Sequence, residues 1–129
     1  MQTIGQERAK HAFNSWNSLE NQDIKDKYKS YVKRTPVMIM NNGLGQTLAF
    51  FTQKMSSSNQ NENKAYKALY DHINDWVMSS IPIELFDKSK ENNQSYTDLL
   101  KLIINKDSTT LRYATMEVMK YIEWLKKFV

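Results

Sequence analysis

The residues that come nearest to a catalytic pattern are His72, Asp71 and Asp75. On a helix His72 and Asp75 stand three positions apart and share a face, and a carboxylate there can orient an imidazole or begin a metal site. A metal site needs a third and a fourth ligand, and the sequence offers none, so neither a metal nor any other cofactor is expected. Asp71 and Asp75, at i and i+4, could hold a hard cation or divide acid and base roles. A solvated helix face is the commoner meaning of that spacing. His11 has no histidine or carboxylate three or four positions further on. The absence of cysteine removes thiolate catalysis, disulfides and Cys-ligated zinc together. Gly43-Leu44-Gly45 lacks the preceding strand, the third glycine and the Lys-Ser/Thr ending of a phosphate loop, and reads more simply as a tight turn between helices. No catalytic residues are assigned, and no enzyme is expected.

The cations are better organised. Lys25, Lys29 and Lys33 form an i, i+4, i+8 row on one helix face, and Arg34 adjoins it. Like charges at that spacing repel, so the row is hard to explain by stability and points to a polyanion. Arg8 and Lys10 lie near the N-terminus and Lys54 follows the glycine turn. Lys126 and Lys127 close the last helix, where the helix dipole also favours cations. The net charge of +4 is unevenly spread: residues 1–55 carry eight Lys and Arg to four acids, residues 56–98 four to seven, and residues 99–129 six to three. Among the aromatics, Tyr66, Tyr70, Tyr113, Tyr121, Trp124 and Phe128 fall beside or away from the main apolar stripes. Next to lysines such rings can stack bases, but core packing or a protein interface is favoured for them.

Helical periodicity dominates the elements that must carry these groups. Residues 3–21 place Ile4, Ala9, Ala12, Phe13, Trp16 and Leu19 on one broad face. Asp23 is read as the cap of a second helix bearing Ile24, Tyr28, Tyr31 and Val32, which should stop near Arg34 because Pro36 lacks an N–H and disfavours helix at Thr35. A short helix from Pro36 to Asn42 should end at Gly43 in a left-handed conformation. Residues 45–55 then form a helix that buries Leu44, Leu48, Phe51 and Met55. A polar loop over 56–63 precedes a strongly amphipathic helix, 64–80, with Ala65, Leu69, Ile73, Trp76 and Val77 inward. A second polar loop, near 87–94, leads to a capping box at Ser95 and Asp98 and a helix with Leu99, Leu100, Ile103 and Ile104 inward. Asp107 or Ser108 caps the last helix, striped by Leu111, Ala114, Val118, Ile122 and Leu125. The expected fold is all-α, a single compact domain over residues 1–129 with about six helices. No apolar stretch approaches the length of a membrane span and the N-terminus has no signal-peptide core, so a cytoplasmic location and no membrane partner are expected.

Three segments carry a family resemblance: Glu7 to Phe13 (ERAKHAF), Tyr28 to Phe51 (YKSYVKRTPVMIMNNGLGQTLAFF) and Tyr113 to Val129 (YATMEVMKYIEWLKKFV). Together they resemble the small α-helical subunit of the type III-B CRISPR RAMP effector complex, the Cmr complex. The central segment, a basic-x-Pro followed by an apolar tetrad and Asn-Gly-Leu-Gly-Gln-Thr-Leu-Ala-Phe, is the most specific. The matched pieces cover about half of the chain, at both ends, and residues 56–112 are weakly distinctive.

The resemblance implies a non-catalytic helical brick that stacks in several copies beside the backbone subunits of the complex. Its implied partners are those subunits, stacked copies of itself, and the guide and target RNA, met at their backbones. It puts RNA contact on Arg8, Lys33, Arg34, Lys54, Lys126 and Lys127 within the matched segments, and on Lys29 at their edge. Gln46 and Thr47 are candidates either for RNA-backbone contact or for capping a helix. The rival reading is a small helical DNA-binding regulator built on a helix-turn-helix around the glycine turn. The apolar LAFF run that follows the turn opposes it, because a recognition helix needs polar residues facing the bases.

Overall fold

The computed structural model describes residues 1–81 and 98–129. The described residues hold five helices and no strand: α1 (Ile4–Asn17), α2 (Gln22–Lys54), α3 (Gln60–Ser80), α4 (Leu99–Asn105) and α5 (Ser108–Phe128). The fold is all-α, as predicted. The loop expected near 87–94 and the cap expected at Ser95 lie outside the described residues.

Side-chain caps set the helix starts. Thr3 and Gln6 form a reciprocal capping box on α1, Asn21 caps α2 one turn before Ile24, Asn59 caps α3 and Asp107 caps α5. Each supplies an oxygen to an amide that has no partner within the helix. The predicted Asp23 cap therefore moves to Asn21. The expected loop over 56–63 is shorter than predicted, because Asn59 starts α3 at Gln60. Asp98 caps α4 itself, accepting from the amides of Leu100 and Lys101.

The helix expected to stop near Arg34 instead runs on through Pro36. A proline inside a helix removes one hydrogen bond and costs about 3 kcal/mol. Burial of Tyr31, Val32, Thr35 and Ile39 on the turns around it opposes that cost, since each fully buried large apolar side chain is worth about 1.5–3 kcal/mol. The Thr35 hydroxyl is satisfied locally, donating to the Tyr31 carbonyl at 2.7 Å. The real break is Gly43, at φ 84 and ψ 163. Its φ is positive, as expected, but its ψ is extended, a combination open essentially to glycine alone. Leu44, Leu48 and Phe51 of the following segment are buried.

Both segments of α2 pack on α3, Tyr31 before the Gly43 break and Phe51 after it meeting the same Tyr66 ring, and α5 packs against α1, α2 and α3. Tyr28, Tyr121 and Phe51 are the largest fully buried side chains. Tyr66, Tyr70 and Tyr121, which stand beside the apolar stripes in sequence, are thus core residues. Their hydroxyls find partners inside: Tyr121 shares a hydrogen bond with Ser15 at 2.9 Å, and Tyr70 donates to Asp98.

Four residues expected on inward faces are exposed. Ile4 and Phe13 of α1 are exposed, and the face that α1 buries is Arg8, Ala12 and Ser15. Ile104 and Leu111 are exposed as well. The short helix α4 meets its neighbours through Leu99, Leu102 and Ile103, which turns Ile104 outward by one residue's rotation. Val37 and Met40 of the apolar tetrad also face water, leaving Ile39 buried and Met38 partly covered.

The polar side of α1 is held by one buried ion pair. Arg8 donates from Nε to Glu117 Oε1 at 2.6 Å and from Nη2 to Oε2 at 3.1 Å. Trp76 Nε1 donates to the same Oε1 at 2.8 Å. This joins α1, α3 and α5 at one carboxylate. Burial alone would raise the Glu117 pKa, but the hydrogen bonds from Arg8 and Trp76 and the Arg8 charge hold it below its ordinary value.

Glu117→Ala should cost about 3–5 kcal/mol in denaturant unfolding, because it leaves the Arg8 charge buried without a partner. The double variant Arg8→Met with Glu117→Leu should recover much of that loss. A depressed carboxylate stabilises the fold above its unfolded pKa and loses that contribution as pH falls through its folded pKa. Stability of the wild-type chain should therefore drop as pH falls below about 4.5, with a shallower drop in Glu117→Gln. Separately, Gly43→Ala should cost about 1–3 kcal/mol through backbone strain alone, since a Cβ there would meet no atom within 4 Å.

Candidate nucleic-acid interface

The lysine row predicted on α2 is there, and it divides. Lys29 and Lys33 are exposed, and neither has an acid among the described residues within ion-pair distance. Lys25 leans inward, with Nζ 5.1 Å from the centre of the Trp16 ring. The acids of this stretch serve other groups: Asp23 takes Lys27 at 3.3 Å and Asn61 at 2.7 Å, and those contacts, Asn61 first, lower its pKa. The result is an unneutralised pair of cations on the outer face of α2, next to Arg34.

Arg34 turns toward α3. Its guanidinium lies 5.1 Å over the Tyr31 ring, and Nη2 donates a long hydrogen bond of 3.5 Å to the Tyr66 hydroxyl. Tyr31 and Tyr66 stack face to face with centroids 3.8 Å apart, and burial pushes the Tyr31 hydroxyl up to about 12. Lys54, at the other end of the same aromatic group, sits 5.5 Å from the Phe50 ring and 3.7 Å from Glu62. The fold thus brings Arg34 and Lys54 to two sides of one ring cluster, although they stand twenty residues apart in sequence. Gln46 is exposed just past the Gly43 break.

Other predicted contacts are placed differently. Arg8 is 8% exposed and its guanidinium is taken by Glu117. Thr47 is 1% exposed, and its hydroxyl donates to the Gly43 carbonyl at 2.9 Å. That bond to the carbonyl four residues back is neither an RNA contact nor a helix cap. At the end of α5, Lys126 pairs with Glu123 at 3.6 Å and Lys127 lies 5.0 Å over the Trp124 ring; both remain exposed.

The histidines meet partners that the local spacing did not suggest. His11 and His72 both line an open polar cleft between α1 and α3, with Ser15, Asp71, Asn74 and Asp75. Asp75 pairs with His11 across the helices, Oδ2 to Nε2 at 2.6 Å, and not with His72. The other ring nitrogen of His11 lies 2.7 Å from the Tyr121 hydroxyl. His72 shares a hydrogen bond of 2.8 Å with Tyr28 through Nδ1. Burial, and then the proximity of His11, lower the His72 pKa to about 4, so it is neutral at pH 7. No group of three or more His, Asp or Glu among the described residues is arranged to hold a metal ion.

A family model described as CRISPR-associated protein (Cas_Cmr5) matches residues 4–129. The chain belongs to the Cas_Cmr5 family. The match takes in both ends, where the resemblance lay, and also residues 56–112, where the sequence is weakly distinctive. Cas_Cmr5 chains are subunits of the type III-B Cmr complex, so other subunits of that complex are partners of this one. The DNA-binding regulator gives way to this assignment. The segment after Gly43, which would have to serve as its recognition helix, buries Leu44, Leu48 and Phe51 in the core. Among the described residues of this Cas_Cmr5 chain, no helix is long and apolar enough to cross a membrane.

A histidine kept neutral by the fold favours the unfolded state once its unfolded form takes a proton. Its cost is absent above the unfolded pKa and grows as pH falls from about 6.5 toward about 4. Thermal unfolding followed across that window should show a falling Tm, and His72→Gln should flatten this part of the profile.

Proposed function

We propose that this Cas_Cmr5 chain is a non-catalytic structural subunit. It stacks beside the backbone subunits of the type III-B complex and lends a basic surface to the channel for guide and target RNA, in cytoplasmic antiviral defence. The observation that carries this reading is the outer face of α2, where Lys29 and Lys33 are exposed without an acid partner among the described residues. Arg34, held over Tyr31, extends the same patch. Gln46, Lys126 and Lys127 are exposed and complete the set, and Lys54 joins it from a position shared with Glu62. Arg8 and Thr47 leave it, because their polar atoms are spent inside the fold.

Backbone recognition suits such a surface. Lysine ammonium groups meet phosphates as point charges and read no base, which a subunit serving every guide sequence requires. Stacking of copies belongs to the same proposal and rests on the family resemblance; the exposed acids of α3 are already engaged, Asp71 with Lys67 at 2.9 Å and Asp75 with His11 at 2.6 Å. A head-to-tail contact builds an open stack when its rotation does not close a ring. Cleavage is left to other subunits. In the polar cleft Ser15 is buried, and its hydroxyl is shared between Tyr121 and His11, an arrangement that suits structure better than nucleophilic attack.

The test is Lys29→Glu with Lys33→Glu in the assembled complex. RNA retention should weaken, with the helical circular dichroism of the isolated subunit unchanged. The log–log salt slope should shrink by about 1.4 if each lysine neutralises one phosphate of a single strand, at about 0.7 per phosphate. Wild-type RNA affinity, salt slope and target cleavage in the double variant would defeat the assignment.

A further inference from the structure

The outer side of α1 and the last turn of α5 meet in a group of rings that the core leaves partly in water. Phe13 is 50% exposed, although it stands on a helix with a buried side. Phe128 meets it edge to face, with centroids 5.3 Å apart and planes at 77°. Trp124, one turn earlier on α5, stacks on Phe128 at 5.9 Å with planes 18° apart. Lys127 Nζ lies 5.0 Å from the Trp124 centroid. Lys10, one turn before Phe13 on α1, and Lys126 are both exposed. Glu123 pairs with Lys126 at 3.6 Å, and neither Lys10 nor Lys127 has an acid within ion-pair distance among the described residues.

We propose that this ladder takes an unpaired stretch of RNA, with a base against the exposed Phe13 ring and flanking phosphates on Lys10 and Lys127. The inference rests on the RNA-binding reading above and adds a second kind of contact to it. The α2 lysines meet backbone alone, whereas this surface needs the face of a base. A duplex cannot supply one, because its bases are stacked on one another, whereas a single strand can turn them out onto aromatic rings. The sequence alone favours core packing or a protein interface for Trp124 and Phe128, since aromatic rings are enriched at protein interfaces, but lysine is depleted there, and the lysines on both sides of these rings turn the balance toward a polyanion. The rings are also already fixed by their mutual contacts, so little side-chain freedom is lost on binding.

The test uses the full chain at low salt, with fluorescence anisotropy of a short oligouridylate, an abasic ribose-phosphate chain of the same length and a duplex. Wild type should bind the oligouridylate about tenfold more tightly than the abasic chain, the scale of one stacked base, and more tightly than the duplex. Phe13→Ala should abolish that preference while leaving abasic affinity unchanged, and Phe13→Trp should restore it. Because Phe13 is half exposed, both variants should keep the wild-type circular dichroism. Equal wild-type affinity for the oligouridylate and the abasic chain overturns the inference and leaves the α2 reading standing. So does an undiminished preference in Phe13→Ala. Loss of a neighbouring subunit from the assembled complex in Phe13→Ala, with the base preference intact, would mark the rings as a protein interface instead. If wild type binds none of the three probes, and the Lys29→Glu, Lys33→Glu complex retains its RNA, the RNA-binding reading fails and this one with it.

Discussion

The Glu117 carboxylate ties three helices to one point. Arg8 reaches it from α1 and Trp76 from α3, while Glu117 itself projects from α5. Much of what α1 buries is polar, so hydrophobic burial alone would hold this helix weakly. A buried charge pair contributes little net stability compared with apolar residues of the same shape, but breaking it strands a charge in a dry site. The pair therefore acts mainly as a constraint: α1 docks in the one register that brings Arg8 to Glu117. That register also sets Ser15 and His11 beside Tyr121 and Phe13 beside Phe128. The polar cleft and the exposed aromatic ladder are both consequences of it.

For the lysine row, the corresponding element is α2. Its inward residues form the core with α3, and packing on the turns around Pro36 keeps the helix intact there. An unbroken helix holds Lys29, Lys33 and Arg34 on one rigid rod. The break at Gly43 then redirects the chain so that Leu44, Leu48 and Phe51 enter the core and Lys54 arrives beside the Tyr31–Tyr66 stack that Arg34 also touches. In our proposal this cationic face is the part of the chain that meets RNA backbone.

Local chemistry was legible in advance where it acts over a few residues. The all-α class, the inward faces of α3 and most of α5, the positive φ at Gly43 and the lysine row could each be read from spacing, because helical periodicity and glycine's conformational freedom are local properties. Family membership was legible too, from the segment around the glycine turn. The helix limit at Pro36 was misplaced because the proline's local cost is set against burial that depends on α3, which no local rule contains. The inward face of α1 was misread for a related reason: Ile4 and Phe13 carry the hydrophobic signal, but Arg8 and Ser15 have the buried partners.

The sequence by itself determined a helical Cas_Cmr5 chain with its cations gathered at both ends and no complete set of catalytic or metal-binding residues in any local motif. Only the tertiary structure decided which of those cations face outward. Arg8 and Lys33 are equally basic in sequence, yet one is buried against Glu117 and the other is exposed. Likewise Asp75 serves His11, sixty-four residues away, and not His72 on its own helix. A charged or titratable group is defined by what surrounds it, and here those surroundings come from helices far apart along the chain.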